Sequence, residues 1–211
     1  MEQAGAPLQI AVSLNGVDFT ETGFTFSYYQ KPEIVDISPR SGSVDGGTEI
    51  WLKGSKFSNI THSLKSVRCR FRQLADPEKN QTWEDENAPT KYIPAYYIDK
   101  ETMKCASPSG WNGGDTVKVD LTFNGYDYTE ASFDFNFYNI FGSFPKSGPA
   151  DATTQYIQVR GKGFRKSDQD IKCFLDGQTV EPLSVHPNVI KCPMVLQGWP
   201  SDKHTSVPFA V

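Results

Sequence analysis

An internal repeat constrains this 211-residue chain more than any other feature of its sequence. Residues 14–28 begin Leu-Asn-Gly-Val-Asp-Phe-Thr-Glu, and residues 123–137, 109 positions later, begin Phe-Asn-Gly-Tyr-Asp-Tyr-Thr-Glu. Each copy continues with alternating aromatic residues. A chance match over this many ordered positions is improbable, so the sequence predicts a tandem array of one structural unit.

Further blocks repeat in the same order after each copy. Val67-Arg68-Cys69 matches Ile171-Lys172-Cys173, and Met103-Lys104-Cys105 matches Ile190-Lys191-Cys192. A further block precedes the cysteine blocks in both copies: a proline, a glycine three residues later, and then an alternating apolar run. Allowing slips of one residue, the residues that match are Ile37, Pro39, Gly42, Ile50, Leu52, Gly54 and Phe57 in the first copy and Phe144, Pro145, Gly148, Ile157, Val159, Gly161 and Phe164 in the second.

The repeat divides the chain into three parts. Residues 1–29 match the last strand pair of a unit, residues 30–138 form a complete unit, and residues 139–211 form a second unit that lacks its last strands. Two interpretations follow. Either the sequence is a piece of a longer protein, or segment 8–29 completes the C-terminal unit of the same or another molecule. An open edge predicts weak self-association in both cases.

The periodicity of the apolar residues is that of β-strands. Val117, Val119, Leu121 and Phe123 alternate with polar residues, and so do Phe133, Phe135 and Phe137. We therefore expect these three phenylalanines to face a core, and Phe24 and Phe26 to face the core of their own unit. Short strands separated by Asn-Gly turns predict an all-β fold of tandem immunoglobulin-like β-sandwiches.

The run Lys31-Pro32-Glu33-Ile34-Val35-Asp36-Ile37-Ser38-Pro39, followed by Gly46-Gly47-Thr48 and the strand that ends Gly54-Ser55-Lys56-Phe57, resembles the opening of an IPT/TIG domain. Cys105-Ala106-Ser107-Pro108 and Asn124-Gly125-Tyr126-Asp127-Tyr128-Thr129 are similar to later motifs of that family. The resemblance implies the immunoglobulin-like fold shared by plexins and certain transcription factors. The C-terminal unit departs from it, with Ala152-Thr153-Thr154 in place of Gly-Gly-Thr. A fold of this kind specifies no single function.

The four cysteines form two matched pairs, Cys69 with Cys105 and Cys173 with Cys192, without any Cys-x-x-Cys motif. The repeat favours one disulfide within each unit, and with it an extracellular or cell-surface location over a cytoplasmic or cytoskeletal one. The alternative is that all four are reduced, buried cysteines of a cytosolic protein.

Three arginines, Arg68, Arg70 and Arg72, alternate along one predicted strand and share a face. This stripe is a candidate docking site for an acidic partner. The alternative is a solvated face balanced by the acidic stretch that includes Glu84-Asp85-Glu86.

The sequence offers no catalytic, cofactor-binding or metal-binding constellation. The three histidines are scattered, and neither Gly-x-Ser-x-Gly nor His-Glu-x-x-His occurs. The net charge of −4 argues against nucleic-acid binding, and no apolar run is long enough to insert in a membrane. We therefore expect a non-catalytic structural or protein-interaction module that acts as a spacer, adhesion or scaffold segment, with other proteins, neighbouring repeats or further copies as partners. The alternative is the dimerisation domain of a transcription factor.

Overall fold

The computed structural model describes residues 7–59, 66–73, 88–147, 156–165, 171–175, 177–194 and 209–210. Within these ranges every regular element is a β-strand. The strands are β1 (Leu8–Val12), β2 (Thr20–Phe26), β3 (Glu33–Ser38), β4 (Ser41–Ser43), β5 (Glu49–Ser55), β6 (Arg68–Gln73), β7 (Thr90–Asp99), β8 (Thr102–Ala106), β9 (Thr116–Thr122), β10 (Phe133–Phe144), β11 (Tyr156–Lys162), β12 (Cys173–Leu175), β13 (Gln178–Val180), β14 (Ser184–His186), β15 (Val189–Pro193) and β16 (Phe209–Ala210). The all-β prediction is confirmed.

The middle segment, residues 30–138, folds as a sandwich of two sheets. One sheet has the order β3-β5-β8-β7, and the other contains β7, β6, β9 and β10, with the short strand β4 parallel to β10. Strand β7 belongs to both sheets, because Thr90–Pro94 pairs with β6 and Ala95–Asp99 pairs with β8. A single bent strand therefore connects the two layers.

The core of the middle segment is built from the inward positions of these alternating strands. Phe135 and Phe137 are fully buried, as the sequence predicts, and Phe133 packs against the core while remaining partly exposed. Phe71 meets Phe135 edge-on, with 6.2 Å between the ring centroids. Burial of such large side chains is the main stabilising contribution in a sandwich of this size.

The described residues of the C-terminal segment repeat part of this architecture. The second half of β10 pairs with β11, and the sheet continues through β15 to β14; a second sheet has the order β13-β12-β16. The β10–β11 register, with its irregularity between Ile140 and Gly142, reproduces the β3–β5 register, which shifts between Ile34 and Asp36. The buried core cluster of the C-terminal segment contains Val159, Phe164, Cys173, Ile190 and Cys192.

The N-terminal hairpin, which consists of β1, β2 and their turn (residues 8–26), forms a two-stranded sheet of its own. Phe24 and Phe26 are 70% and 58% exposed, so the expectation that they face a core is wrong for this structure. The reason is that no other described strand pairs with the hairpin or supplies a second layer for it. Alternation gave the correct strand but not the presence of its packing partner.

Candidate interaction surface and the joint between the two segments

A single 12-residue strand connects the middle and C-terminal segments. The first part of β10, Phe133–Asn136, pairs with β9, and the part from Asn139 onward pairs with β11. Strand β4 covers the residues between, through Tyr138. The connection is therefore hydrogen-bonded along its length, unlike the flexible linkers that usually separate domains.

The backbone around this crossing is closely packed. The Gly114 N–H donates to the carbonyl oxygen of Phe137 at 2.7 Å, and the Phe137 N–H donates to that of Asp115 at 2.9 Å. Gly163, which follows β11, lies against the same atoms: a Cβ built on it would approach Gly114 N and Phe137 O more closely than the 3.0 Å that real Cβ atoms respect. Its φ of +89° is also a conformation that favours glycine.

Two side-chain contacts extend the joint. Arg165 of the C-terminal segment donates a hydrogen bond to the Thr116 hydroxyl on β9. The rings of Tyr138 and Phe164 pack together with centroids 6.3 Å apart, and burial raises the pKa of the Tyr138 phenol above its ordinary value. The joint thus combines a continuous strand, tight glycine contacts and a partly buried aromatic pair.

The arginines of β6 differ in what they contact. Arg70 makes two hydrogen bonds to Asp120 on the adjacent strand β9, from Nε to Oδ1 at 2.9 Å and from Nη2 to Oδ2 at 2.6 Å. Its guanidinium carbon also lies 3.5 Å from the ring centroid of Tyr128, whose hydroxyl donates to that of Tyr92 at 3.4 Å. Burial raises the pKa of Asp120, and the hydrogen bonds from Arg70 oppose that rise.

The three arginines of the candidate docking stripe therefore differ in exposure and pairing. The Arg70 side chain is 15% exposed and paired, Arg68 is exposed, and Arg72 is half-buried. The acidic stretch that offered a counter-charge lies outside the described residues. Asp120 supplies the charge for Arg70 instead. In the sequence, Asp120 appears only as a lone acidic residue of β9. Its pairing with Arg70 can be recognised only once the register of β6 against β9 is known.

The cysteines lie as two bonded pairs. Cys69 is joined to Cys105 with 6.5 Å between the Cα atoms, and Cys173 to Cys192 with 5.8 Å. The first bond links β6 in one sheet to β8 in the other, and the second links β12 to β15 in the same way. Each bond therefore connects the two layers of its sandwich.

We also searched the described ranges for metal-binding clusters and for helices that could span a membrane. Within them, no three His, Cys, Asp or Glu side chains come close enough together to hold a metal ion. Nor do those ranges contain a helix of the length and apolar character that crossing a membrane requires.

Comparison with known proteins places these features in a family. The chain is similar to two solved structures of the full plexin A4 extracellular region: 15% identity, TM-score 0.42, over 86% of this chain and 17% of that one, and 14%, 0.43, over 86% and 15%. A structural genomics protein of unknown function from Bacteroides thetaiotaomicron VPI-5482 is 16% identical, with a TM-score of 0.34 over 78% of this chain and 38% of that one. The chain thus spans less than a fifth of the plexin chains. No relative was found among curated protein sequences. The sequence pattern of the IPT/TIG domain matches residues 32–137 and again residues 139–205. The chain belongs to the IPT/TIG family.

Proposed function

We propose that this chain is a non-catalytic spacing and protein-interaction module, in which two IPT/TIG units, residues 30–138 and 139–211, are held at a fixed angle. The observation that carries the proposal is the continuous strand β10, which is the last strand of the first sandwich and the first strand of the second. A module of this kind acts by presenting sheet faces and loop tips at a defined separation.

The joint supports rigidity on energetic grounds. A bend between the segments breaks pairing of β10 on one side or the other, and exposes backbone groups such as the Gly114 N–H and the Phe137 carbonyl. Each lost hydrogen bond costs roughly 1 kcal/mol when its groups stay wet and more when they stay buried. The lowest-energy state is therefore one fixed arrangement of the two sandwiches.

The compartment we propose is extracellular or cell-surface. Two disulfides, each within one sandwich, support it because oxidising compartments retain such bonds and the cytosol does not. By their sequence separations of 36 and 19 residues, they contribute roughly 4 and 3 kcal/mol to stability in the chain-entropy estimate. A transcription-factor dimerisation domain, the alternative function, resides where thiols are kept reduced.

The docking role proposed for the β6 stripe falls mainly to Arg68. Arg70 is held by Asp120, and Arg72 lies across from Lys118 on β9, which itself pairs with Asp134 at 2.7 Å. An acidic partner is the chemistry that an exposed guanidinium recognises. Arg70 supports this surface by fixing the sheet beneath it.

Residual dipolar couplings test the spacing function. Couplings from residues 30–138 and from residues 139–194 should fit one common alignment tensor when measured on the whole chain. The control is a variant with a four-residue Gly-Ser insertion between Tyr138 and Asn139, which should give two tensors of different magnitude. Two different tensors in the unmodified chain would refute a fixed angle.

A further inference from the structure

One sheet of each sandwich can be compared position by position, because the strand registers agree. In the middle segment this sheet is β3-β5-β8 with the second half of β7, and in the C-terminal segment it is the second half of β10 with β11, β15 and β14. Ile50 lies opposite Cys105, and Ile157 lies opposite Cys192 in the same way. The flanking strands match as well, so each outward side chain of one sheet has a definite counterpart in the other.

In the middle segment, carboxylates neutralise the cations on and beside the outer face of this sheet. Lys104 Nζ lies 3.1 Å from Glu49 Oε2. Arg40 Nη2 lies 2.6 Å from Asp36 Oδ1, and Asp36 is also the residue opposite Lys53 on the adjacent strand. An anionic partner therefore finds its binding charges already occupied on this face.

The C-terminal segment keeps the basic positions of this face and replaces the acidic ones. Four acidic residues of the middle segment have counterparts without a carboxylate: Glu33, Asp36, Glu49 and Asp99 correspond to Asn139, Gly142, Tyr156 and His186. The basic residues Arg40, Lys53 and Lys104 correspond to Lys146, Arg160 and Lys191, and Lys162 replaces Ser55. In residues 139–147, 156–165 and 184–194, the described parts of this sheet and its flanks, the sequence contains no aspartate or glutamate.

The neighbours of these cations are aromatic rather than acidic. The guanidinium carbon of Arg160 lies 5.7 Å from the ring centroid of Phe144, and Lys191 Nζ lies 4.7 Å from that of Tyr156. Among the residues that the structure describes, no carboxylate forms an ion pair with Arg160 or Lys191. The rings therefore hold the cations in place without neutralising them.

Three of the cations follow one another at even steps along the strand direction. Arg160 and Lys162 are alternate residues of β11, so they share a face at about 6.7 Å spacing. Lys191 on β15 lies opposite Gln158, two residues before Arg160, which gives the same step one strand across. A Cβ built on Gly114 would lie 3.7 Å from Lys162 Cε, so the Lys162 side chain lies against the middle segment at the joint.

We infer that this face of the C-terminal sandwich, the basic face of Lys146, Arg160, Lys162 and Lys191, binds an extended acidic segment of another protein. An extended chain repeats its side chains on one face at the same step of about 6.7 Å, so carboxylates at alternate positions meet the three aligned cations one to one. Charge-assisted hydrogen bonds to carboxylates are the strongest contacts that such cations make. That the anion belongs to a protein rests on the interaction role proposed above.

NMR titration of the ¹⁵N-labelled whole chain tests the inference. The probe is a synthetic peptide in which glutamate and threonine alternate, added at low ionic strength, where surface charges are least screened. The control peptide has the same composition with its glutamates in one block. We expect amide shifts concentrated in β11 and β15 and tighter binding of the alternating peptide. Equal affinities for the two peptides overturn the inference, because they show that the spacing of the cations is not recognised.

Paired charge-removing variants locate the binding. Arg160→Gln combined with Lys191→Gln should weaken binding of the alternating peptide by roughly tenfold. Lys53→Gln combined with Lys104→Gln removes the same charge at the corresponding positions of the middle segment and should change the affinity by less than about twofold. Equal weakening by the two double variants overturns the inference, because it indicates an effect of net charge alone.

Other anions and the other docking surface provide the remaining outcomes. Binding of a sulfated polysaccharide or a single-stranded DNA on the basic face, with none of the alternating peptide, overturns the inference. Amide shifts confined to β6 also overturn it, while they support the docking role proposed for Arg68. Dipolar couplings measure the spacing function without any ligand, so failure of the basic face and failure of the proposed function are distinguishable.

Discussion

Replacing Gly163 with alanine is the sharpest perturbation of the joint between the two sandwiches. At a φ of +89°, an alanine costs about 1–2 kcal/mol for the backbone conformation alone. The new Cβ also collides with Gly114 N and Phe137 O, two atoms that hydrogen-bond to each other. Relieving that collision costs about 1–3 kcal/mol more, since Phe137 lies in strand β10 and Gly114 in the turn before β9, and neither backbone atom can rotate away as the end of a side chain can.

Gly177→Ala provides the matched control. Gly177 has a similar φ of +79°, and a Cβ built on it meets no heavy atom within 4 Å. This variant therefore has the conformational cost without the collision. We expect a loss of about 1–2 kcal/mol in the free energy of unfolding for Gly177→Ala and about 2–5 kcal/mol for Gly163→Ala.

The part of the molecule that each substitution destabilises distinguishes a joint from an ordinary turn. Urea unfolding gives the free energies, amide hydrogen exchange reports opening at the Gly114 N–H, and dipolar couplings report the relative orientation of the segments. Gly163→Ala should accelerate exchange at Gly114 and separate the alignment tensors, while Gly177→Ala leaves both unchanged. Equal free energies for the two variants within about 0.5 kcal/mol, with one common tensor in each, would refute the reasoning.

Three further outcomes follow from the core, the buried ion pair and the joint. Phe135→Ala should lower the free energy of unfolding by about 3–5 kcal/mol, while Phe141→Ala, at a 68% exposed site, should stay within about 0.5 kcal/mol; equal melting temperatures would contradict the core placement. Arg70→Met should lower the free energy of unfolding by about 3–5 kcal/mol, because it leaves the buried Asp120 carboxylate unpaired. Adding Asp120→Leu should recover part of this loss. Urea titrations in which the losses of the two single variants simply add would argue against coupling between Arg70 and Asp120. Burial raises the pKa of the Tyr138 phenol above its ordinary value of 10.0. The contribution of Tyr138 to the free energy of unfolding is therefore complete below pH 10 and is lost as pH rises through the higher pKa of the folded state. Tyr138→Phe should flatten this alkaline decline, which unfolding measured from about pH 8 to about pH 11 can detect.

The sequence predicts the core of this fold well because the core is what the repeat preserves. Inward positions such as Leu52 and Cys69 are buried in the middle segment, and their counterparts Val159 and Cys173 are buried in the C-terminal segment, so alternation and matched spacing identify them. The prediction is wrong at Phe24 and Phe26 for a physical reason: alternation reports which face of a strand is apolar, not whether a second layer covers that face.

The joint could be predicted only in part. A unit boundary at residues 138 and 139 falls inside β10, and the family pattern also divides the chain there. The sequence from Phe133 to Ile140 contains neither glycine nor proline, which indicates an uninterrupted strand. The contact of Gly163 with Gly114 joins residues far apart in the sequence, and no local pattern reveals a close approach of that kind.

The outer faces of the two sandwiches differ at a position where their cores agree. Arg70 pairs across to Asp120 in the middle segment, and the same register position in the C-terminal segment pairs Phe174 with Ala210. The disulfide one residue before each site is kept, so the substitution changes surface chemistry without changing the fold. One sandwich thus has a charged, tyrosine-covered sheet face, and the other has Phe174 41% exposed at the equivalent position. For the spacing module proposed above, unlike faces on its two units would allow unlike partners to bind at one separation, which a pair of identical repeats does not provide.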